Sequence, residues 1–307
     1  MRTLKIKSMQ RPRSTQRQRL GATRALLLGL AIPVFLALAG AATSSTIQRP
    51  VYQAPQSYYL ALGDSITYGF QPTKAKAGAR PSAFRTGFVD VFAARLRKLA
   101  PGIQVVNYGC PGESTVTFMR GGCPAFTDGV ELHDAFRGSQ LKAALSFLRA
   151  HPEAVSPITV TLYGNDWLPV LLDTCKGNAT CARKHAPSAT GAFASRLRSI
   201  LQQLRKAAPD AEIIVTGAWN PDPNQLRQLG DVYRSLEASI ARAAAVSGAR
   251  VARMVPVFNP SGSLPARKAK LCALTFICSK GDPHPTNAGY RAMADAHMAA
   301  SGYPRKS

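Results

Sequence analysis

The sequence predicts an α/β fold in which a central five-stranded parallel sheet carries helices on both faces. Three observations point there. Five short apolar runs rich in β-branched and aromatic residues recur along the chain. Amphipathic segments with helical spacing separate them, and strands alternating with helices build a parallel sheet covered on both sides. The chain has 307 residues, 46% of them hydrophobic, which suits one sizeable domain plus a tail.

The tail comes first. Residues 1–24 hold eight Lys or Arg and no acid, and Ala25 to Ala42 form an uncharged apolar stretch interrupted by Pro33. A basic flank, an apolar run and small residues at its end are the pattern of a secretory signal, with cleavage near Ala39 to Ala42. The run is also at the lower limit for a membrane span. Residues 1–42 are therefore expected to be a signal peptide or an N-terminal membrane anchor. Either places the domain outside the cytoplasm. Residues 43–56 read as a linker.

From there the elements follow in order. The expected strands are Tyr58–Leu62, Ile103–Tyr108, Ile158–Tyr163, Ile213–Thr216 and Val251–Phe258. A helix carries Phe88, Val91, Phe92, Leu96 and Leu99. A second carries Leu141, Ala144, Leu145 and Leu148 behind a capping Ser139. A third carries Phe193, Leu197, Ile200, Leu201 and Leu204 after Ser188. Further helices are expected over about 224–247 and 287–300. The stretches 70–85 and 259–281, rich in Pro, Gly and Lys, read as surface loops that frame a pocket.

In parallel sheets, ligands bind beyond the carboxyl ends of the strands. Four stretches at such positions carry chemistry-bearing residues: Gly63-Asp64-Ser65, Asn107 to Thr115 with Gly112 inside it, Gly164-Asn165-Asp166, and Gly281-Asp282-Pro283-His284 before the last helix. Each alone is weak, because a serine after a strand is commonly a cap. Their order and placement together form the signal.

Six cysteines fall as three close pairs: Cys110 and Cys123, Cys175 and Cys181, Cys272 and Cys278. They allow fifteen connectivities, of which pairing between neighbours is the simplest. Oxidising surroundings outside the cytoplasm preserve such bridges. A structural zinc site is the rival, but the C-x2-C spacing is missing. Net charge is +23, or +15 without the eight leading basic residues. The surplus, Arg95, Arg97, Lys98, Arg196, Arg198, Arg205, Lys206 and Arg242, reads as a solvated basic surface. It also suits attraction to an anionic membrane or cell-wall polymer. No aromatic–basic motif or recognition helix points to nucleic acid. His133, His151, His185 and His297 stand apart from the four stretches, and no HExxH is present. The Asn178-Ala-Thr180 sequon matters only in a glycosylating host.

Taken together, the four stretches resemble the blocks of the SGNH hydrolases, the GDSL esterase/lipase superfamily, over about Tyr58 to Tyr290. The resemblance implies a flavodoxin-like three-layer α/β/α sandwich over residues 57–307. It implies that Ser65 is the nucleophile, His284 its base and Asp282 the partner of the imidazole. The backbone N–H groups of Ser65 and Gly112 and the side-chain amide of Asn165 are implied as the oxyanion hole. Several secreted members carry three local disulfides, which is similar to Cys110–Cys123, Cys175–Cys181 and Cys272–Cys278 here.

Two departures stand out. The family's acid usually lies three residues before the histidine, whereas Asp282 lies two before His284. Asp282 can still orient the imidazole, or a backbone carbonyl takes that role. The apolar segment Trp167 to Leu172 after Asn165 is either core packing or the lining of an acyl pocket under the Cys175–Cys181 loop. The expected function is that of a secreted serine esterase or lipase, acting on an acyl lipid or small ester through an acyl-serine intermediate. Neither cofactor nor metal is expected, and the protein reads as a monomer. A carbohydrate acetyl esterase and an inactive surface binding protein are the alternatives.

Overall fold

The computed structural model describes residues 54–75 and 79–303. The leader 1–42 and residues 43–53 of the linker lie outside the described residues. In chain order the elements are β1 (Tyr58–Gly63), α1 (Ser65–Tyr68), α2 (Phe88–Leu96), β2 (Gln104–Asn107), α3 (Thr115–Arg120), α4 (Pro124–Thr127), α5 (Gln140–Ala150), β3 (Val155–Thr161), α6 (Gly164–Leu168), α7 (Ala179–Ala207), β4 (Ile213–Thr216), α8 (Gly230–Ala245), β5 (Arg250–Ala252), α9 (Val255–Phe258), α10 (Leu264–Leu274), α11 (Ile277–Lys280) and α12 (Asn287–Ser301).

The five strands form one sheet in the order β2-β1-β3-β4-β5, and every pairing is parallel. Helices α2 and α12 pack together on one side, and α5, α7 and α8 pack in a row on the other. This is the expected three-layer α/β/α sandwich. Its reason is visible in burial: Tyr59 to Leu62 of β1 are fully buried, as is every residue of β3. A strand with both faces in the core must be covered twice. The strand order reverses between β1 and β3, so the chain leaves these two strands toward opposite sides. A crevice opens at such a switch point, and the segments after β1 and β3 line it.

Several boundaries differ from the sequence reading, and proline is the usual cause. Val251–Phe258 is not one strand: the strand ends at Ala252, and Pro256 sits in the first turn of α9. Proline cannot donate to a sheet ladder but is welcome at a helix start. The third amphipathic helix begins at Ala179 rather than after Ser188, and Pro187 lies inside it. Asn178 caps it by accepting the Cys181 N–H at 2.9 Å. The loop 259–281 contains α10 and α11, because Ser263 caps α10 with Pro265 in its first turn. Only Leu271 and Leu274 of α10 are buried, which left no apolar stripe to read. The helix expected over 224–247 is shorter, since 224–229 form turns.

Three disulfides join Cys110 to Cys123, Cys175 to Cys181 and Cys272 to Cys278. Two groups have metal-ligand spacing among the described residues, Cys175/Cys181/His185 and Cys110/Glu113/Cys123. Their sulfurs are committed to disulfides. Among the described residues no helix is long and apolar enough to cross a membrane.

Candidate active site

The site is built at the carboxyl end of β1. Gly63 has φ +140°, and a Cβ there would come within 2.2 Å of the Thr161 carbonyl oxygen, so only glycine lets the chain turn here. Asp64 then accepts the Ile66 N–H at 2.9 Å and caps α1. Capping is thus the work of Asp64, and the Ser65 hydroxyl is left for other contacts. Burial pushes the Asp64 carboxyl up to about 7, against the capping hydrogen bond and with help from the charges of Asp166 and Glu113.

Ser65 Oγ lies 2.8 Å from His284 Nε2, although 219 residues separate them. On the other side of the ring, His284 Nδ1 lies 2.7 Å from Asp282 Oδ1. Burial raises the Asp282 carboxyl, but its hydrogen bonds and charge interaction with His284 outweigh this and leave it below its ordinary value. An ionised carboxylate only accepts, so Nδ1 carries the proton and Nε2 accepts from the serine hydroxyl. The two-residue spacing works because Asp282 Oδ1 also accepts the His284 backbone N–H at 2.9 Å. The carboxylate thereby folds back over its own turn.

The histidine loop is pinned from several sides. Phe276 N–H donates to the His284 carbonyl at 3.0 Å, and Thr286 N–H donates to that of Leu274 at 2.9 Å. Buried Gln71 donates to the Pro285 carbonyl at 3.1 Å and to Asn287 Oδ1 at 2.9 Å. The Phe70 ring packs on the imidazole at 4.6 Å between centroids.

The second and third stretches meet above β1 and β3. Asn165 lies in α6 and donates one amide N–H to the Glu113 carbonyl at 2.9 Å, which ties it beside Gly112. Gly112 has φ +85°, and a Cβ there would meet the Pro124 ring at 2.9 Å. The glycine thus answers to its own backbone and to Pro124, next to the Cys110–Cys123 bridge.

The parts that three residues play in holding this arrangement escaped the sequence reading, although Thr115 ends the second stretch. The Gln140 side chain, fully buried, accepts the Gly63 N–H at 2.6 Å and donates to the Gly63 carbonyl at 3.0 Å and to Glu113 Oε2 at 2.9 Å. Thr115 N–H donates to Asp166 Oδ2 at 2.8 Å. Arg196, read above as part of a solvated basic surface, pairs with the buried Asp166 carboxylate at 3.0 Å. The available signal was its phase: Arg196 lies one turn after buried Phe193 and next to buried Leu197.

A pocket of about 80 Å³ opens beside Ser65, Asn165 and His284, walled mainly by Tyr163, Trp167, Leu168, Trp219 and Tyr233. Its wall is braced, because Trp167 Nε1 donates to the buried Tyr233 hydroxyl at 3.0 Å and Trp219 stacks on Phe258. The segment after Asn165 therefore divides its duties. Trp167 and Leu168 face the pocket, Leu171 is buried in the core, and Leu172 is exposed.

Comparison with known proteins agrees with this architecture. A search among curated proteins gives no match. Solved structures with the same fold include the lipase Lip_vut3 from a goat rumen metagenome, at 17% identity and TM-score 0.55, covering 81% of this chain and 98% of that one. Phospholipase A1 from Streptomyces albidoflavus NA297 is similar at 16% identity and TM-score 0.53, covering 80% of this chain and 99% of that one. At these identities the likeness shows the fold. The sequence profile of the GDSL-like lipase/acylhydrolase family matches residues 61–292, which span all four stretches and most of the chain. The chain with its serine at the end of β1 belongs to the GDSL-like lipase/acylhydrolase family.

Proposed function

We propose that the protein is an exported serine esterase that hydrolyses carboxylic esters with an apolar acyl group through an acyl-serine intermediate. The observation that carries this reading is the continuous line from Asp282 Oδ1 through the His284 ring to Ser65 Oγ, with contacts of 2.7 Å and 2.8 Å. His284 Nε2 takes the serine proton as Oγ bonds to the ester carbon. The oxyanion that forms is held by the backbone N–H groups of Ser65 and Gly112 and by the remaining amide N–H of Asn165. The alcohol leaves with the proton from Nε2. Water then repeats the sequence on the acyl-enzyme, releasing the acid and restoring the serine. Asp282 holds the tautomer that lets Nε2 accept and stabilises the imidazolium. This chemistry draws on no cofactor.

The acyl group is assigned to the aromatic pocket, whose walls offer apolar contact. At about 80 Å³ it has room for a short to medium acyl chain. Export is supported by the leader of residues 1–42, joined through the linker 43–56 to the hydrolase domain 57–307, and by three disulfides. The charge of +15 outside the leader suits work near anionic lipid or cell-wall polymer.

The test is hydrolysis of p-nitrophenyl esters from acetate to palmitate, with Ser65→Ala as control. The expected result is Ser65-dependent turnover that peaks at intermediate chains and falls toward palmitate. Turnover confined to acetate would favour a carbohydrate acetyl esterase. Wild-type turnover equal to that of Ser65→Ala would leave a binding protein.

A further inference from the structure

Helix α7 contributes no residue to the serine–histidine–aspartate line, yet one of its side chains reaches both segments that carry the implied oxyanion donors. Arg196 Nε donates to Thr115 Oγ1 at 2.6 Å, and its Nη2 donates to Asp166 Oδ1 at 3.0 Å. Asp166 in turn accepts the Thr115 N–H at 2.8 Å through Oδ2 and the Thr115 hydroxyl through Oδ1. The Asp166 side chain is 4% exposed. Thr115 lies three residues after Gly112, and Asp166 follows Asn165 directly.

We propose that Arg196 is a positioning residue that sets the separation between the Gly112 N–H and the Asn165 amide, so that both meet one substrate oxygen. The proposal rests on the esterase reading above. Donors in an oxyanion hole must stand at about 2.7–3.1 Å from the charge that develops, and small displacements lose most of their effect. Gly112 and Asn165 come from different strand ends, 53 residues apart in number. A direct bridge from Asn165 to the Glu113 carbonyl and the Thr115–Asp166–Arg196 cluster fasten the two segments. A guanidinium suits the second because its planar fork serves two partners at once, whereas an ammonium is a single point charge. The helix itself does not depend on Arg196. Phe193, Leu197, Ile200, Leu201 and Leu204 are buried and anchor it independently.

The test compares kcat, KM and thermal midpoint on a short-chain ester for wild type, Arg196→Met, Arg196→Lys and Thr115→Val. Each substitution is also made in an Asn165→Ala background. Arg196→Met is expected to lower kcat at least about tenfold with KM changed less than about threefold. Lysine is expected to recover only part of the loss. In the Asn165→Ala background the loss should shrink to less than about threefold, because one of the groups being placed has gone. A merely structural role predicts the same factor in both backgrounds, and that result overturns the proposal. So does an unchanged kcat in folded Arg196→Met. Should Arg196→Met fail to fold, Thr115→Val carries the same comparison, because it keeps the backbone N–H and the ion pair. Turnover surviving in Ser65→Ala would sink the esterase reading itself. Turnover lost there but indifferent to Arg196 and Thr115 would sink only this inference.

Discussion

Glu113→Gln should change how stability depends on pH, by an amount the structure sets. Glu113 is 1% exposed. Its Oε2 accepts from Gln140 at 2.9 Å, and the carboxyl is enclosed beside Thr117. Burial pushes the carboxyl from 4.5 to about 7, against the lowering effect of Thr117 and Gln140. Between those values the folded state holds a proton that the unfolded chain has released. Stability is therefore full below about pH 4.5, declines as pH rises toward 7, and levels off above. A rise of this size corresponds to about 3 kcal/mol. Asp64, raised from 3.8 to about 7 mainly by burial, contributes with the same sign. His297 opposes both. Burial holds it down to about 4, so it costs stability as pH falls below the ordinary histidine value. Taking the difference between wild type and Glu113→Gln largely removes these other groups. Urea unfolding at several pH values from 4.5 to 8 is the assay. Wild type should lose about 3 kcal/mol more than the variant across that range. Curves that run parallel within about 0.5 kcal/mol would refute the claim that an ionised Glu113 is disfavoured in the fold.

Other perturbations read the site more directly. Asn165→Ala should lower kcat about 100- to 1000-fold with KM within a few-fold; a loss below tenfold in steady-state kinetics would remove its amide from the oxyanion hole. Asp282→Asn should cost about 1000- to 10000-fold in kcat by allowing the wrong imidazole tautomer. A small effect with the Ser65–His284 contact retained would mean that another acceptor orients the ring. Trp167→Ala should shift the chain-length optimum toward longer acyl groups by opening the braced wall, with a stability loss of about 3–5 kcal/mol. An optimum that stays in place as stability falls would dissociate the pocket from the acyl group.

The sequence made the frame legible where a single physical signal dominated. Tyr58 to Leu62 and Ile213 to Thr216 are apolar β-rich runs, and both became buried strands. The last helix, expected over 287–300, runs from Asn287 to Ser301 behind the Thr286 cap. Legibility fell where proline carries two meanings. Pro187 looks like a boundary yet lies within α7, and Pro256 looks tolerable in a strand yet starts a helix. In the site, the short motifs at strand ends could be picked out from their shared order and placement. The parts played by Gln140, Thr115 and Arg196 could not, since their partners are fixed only by folding: Gln140 lies 77 residues from Gly63, and Arg196 lies 81 from Thr115. A polar side chain whose purpose is a distant backbone atom leaves no local pattern.

The spacing of Asp282 and His284 shows how local geometry makes room for such a departure. Gly281 closes α11 with φ +66°, a conformation glycine adopts without strain, and so reverses the chain just before the acid. Pro283 then restricts Asp282 to an extended backbone. From there one carboxylate oxygen reaches both the backbone N–H and the ring N–H of His284. A carboxylate held by a tight turn needs no third residue of spacing to reach the imidazole. It does need the turn to stay in register, and the segment that pins it, through Leu274 and Phe276, lies inside the loop closed by Cys272 and Cys278. The Cys272–Cys278 disulfide is thus coupled to the histidine through the backbone. The bridge limits the freedom of residues 272–278, these hold residues 284–286, and the imidazole is presented to Ser65 at hydrogen-bonding distance.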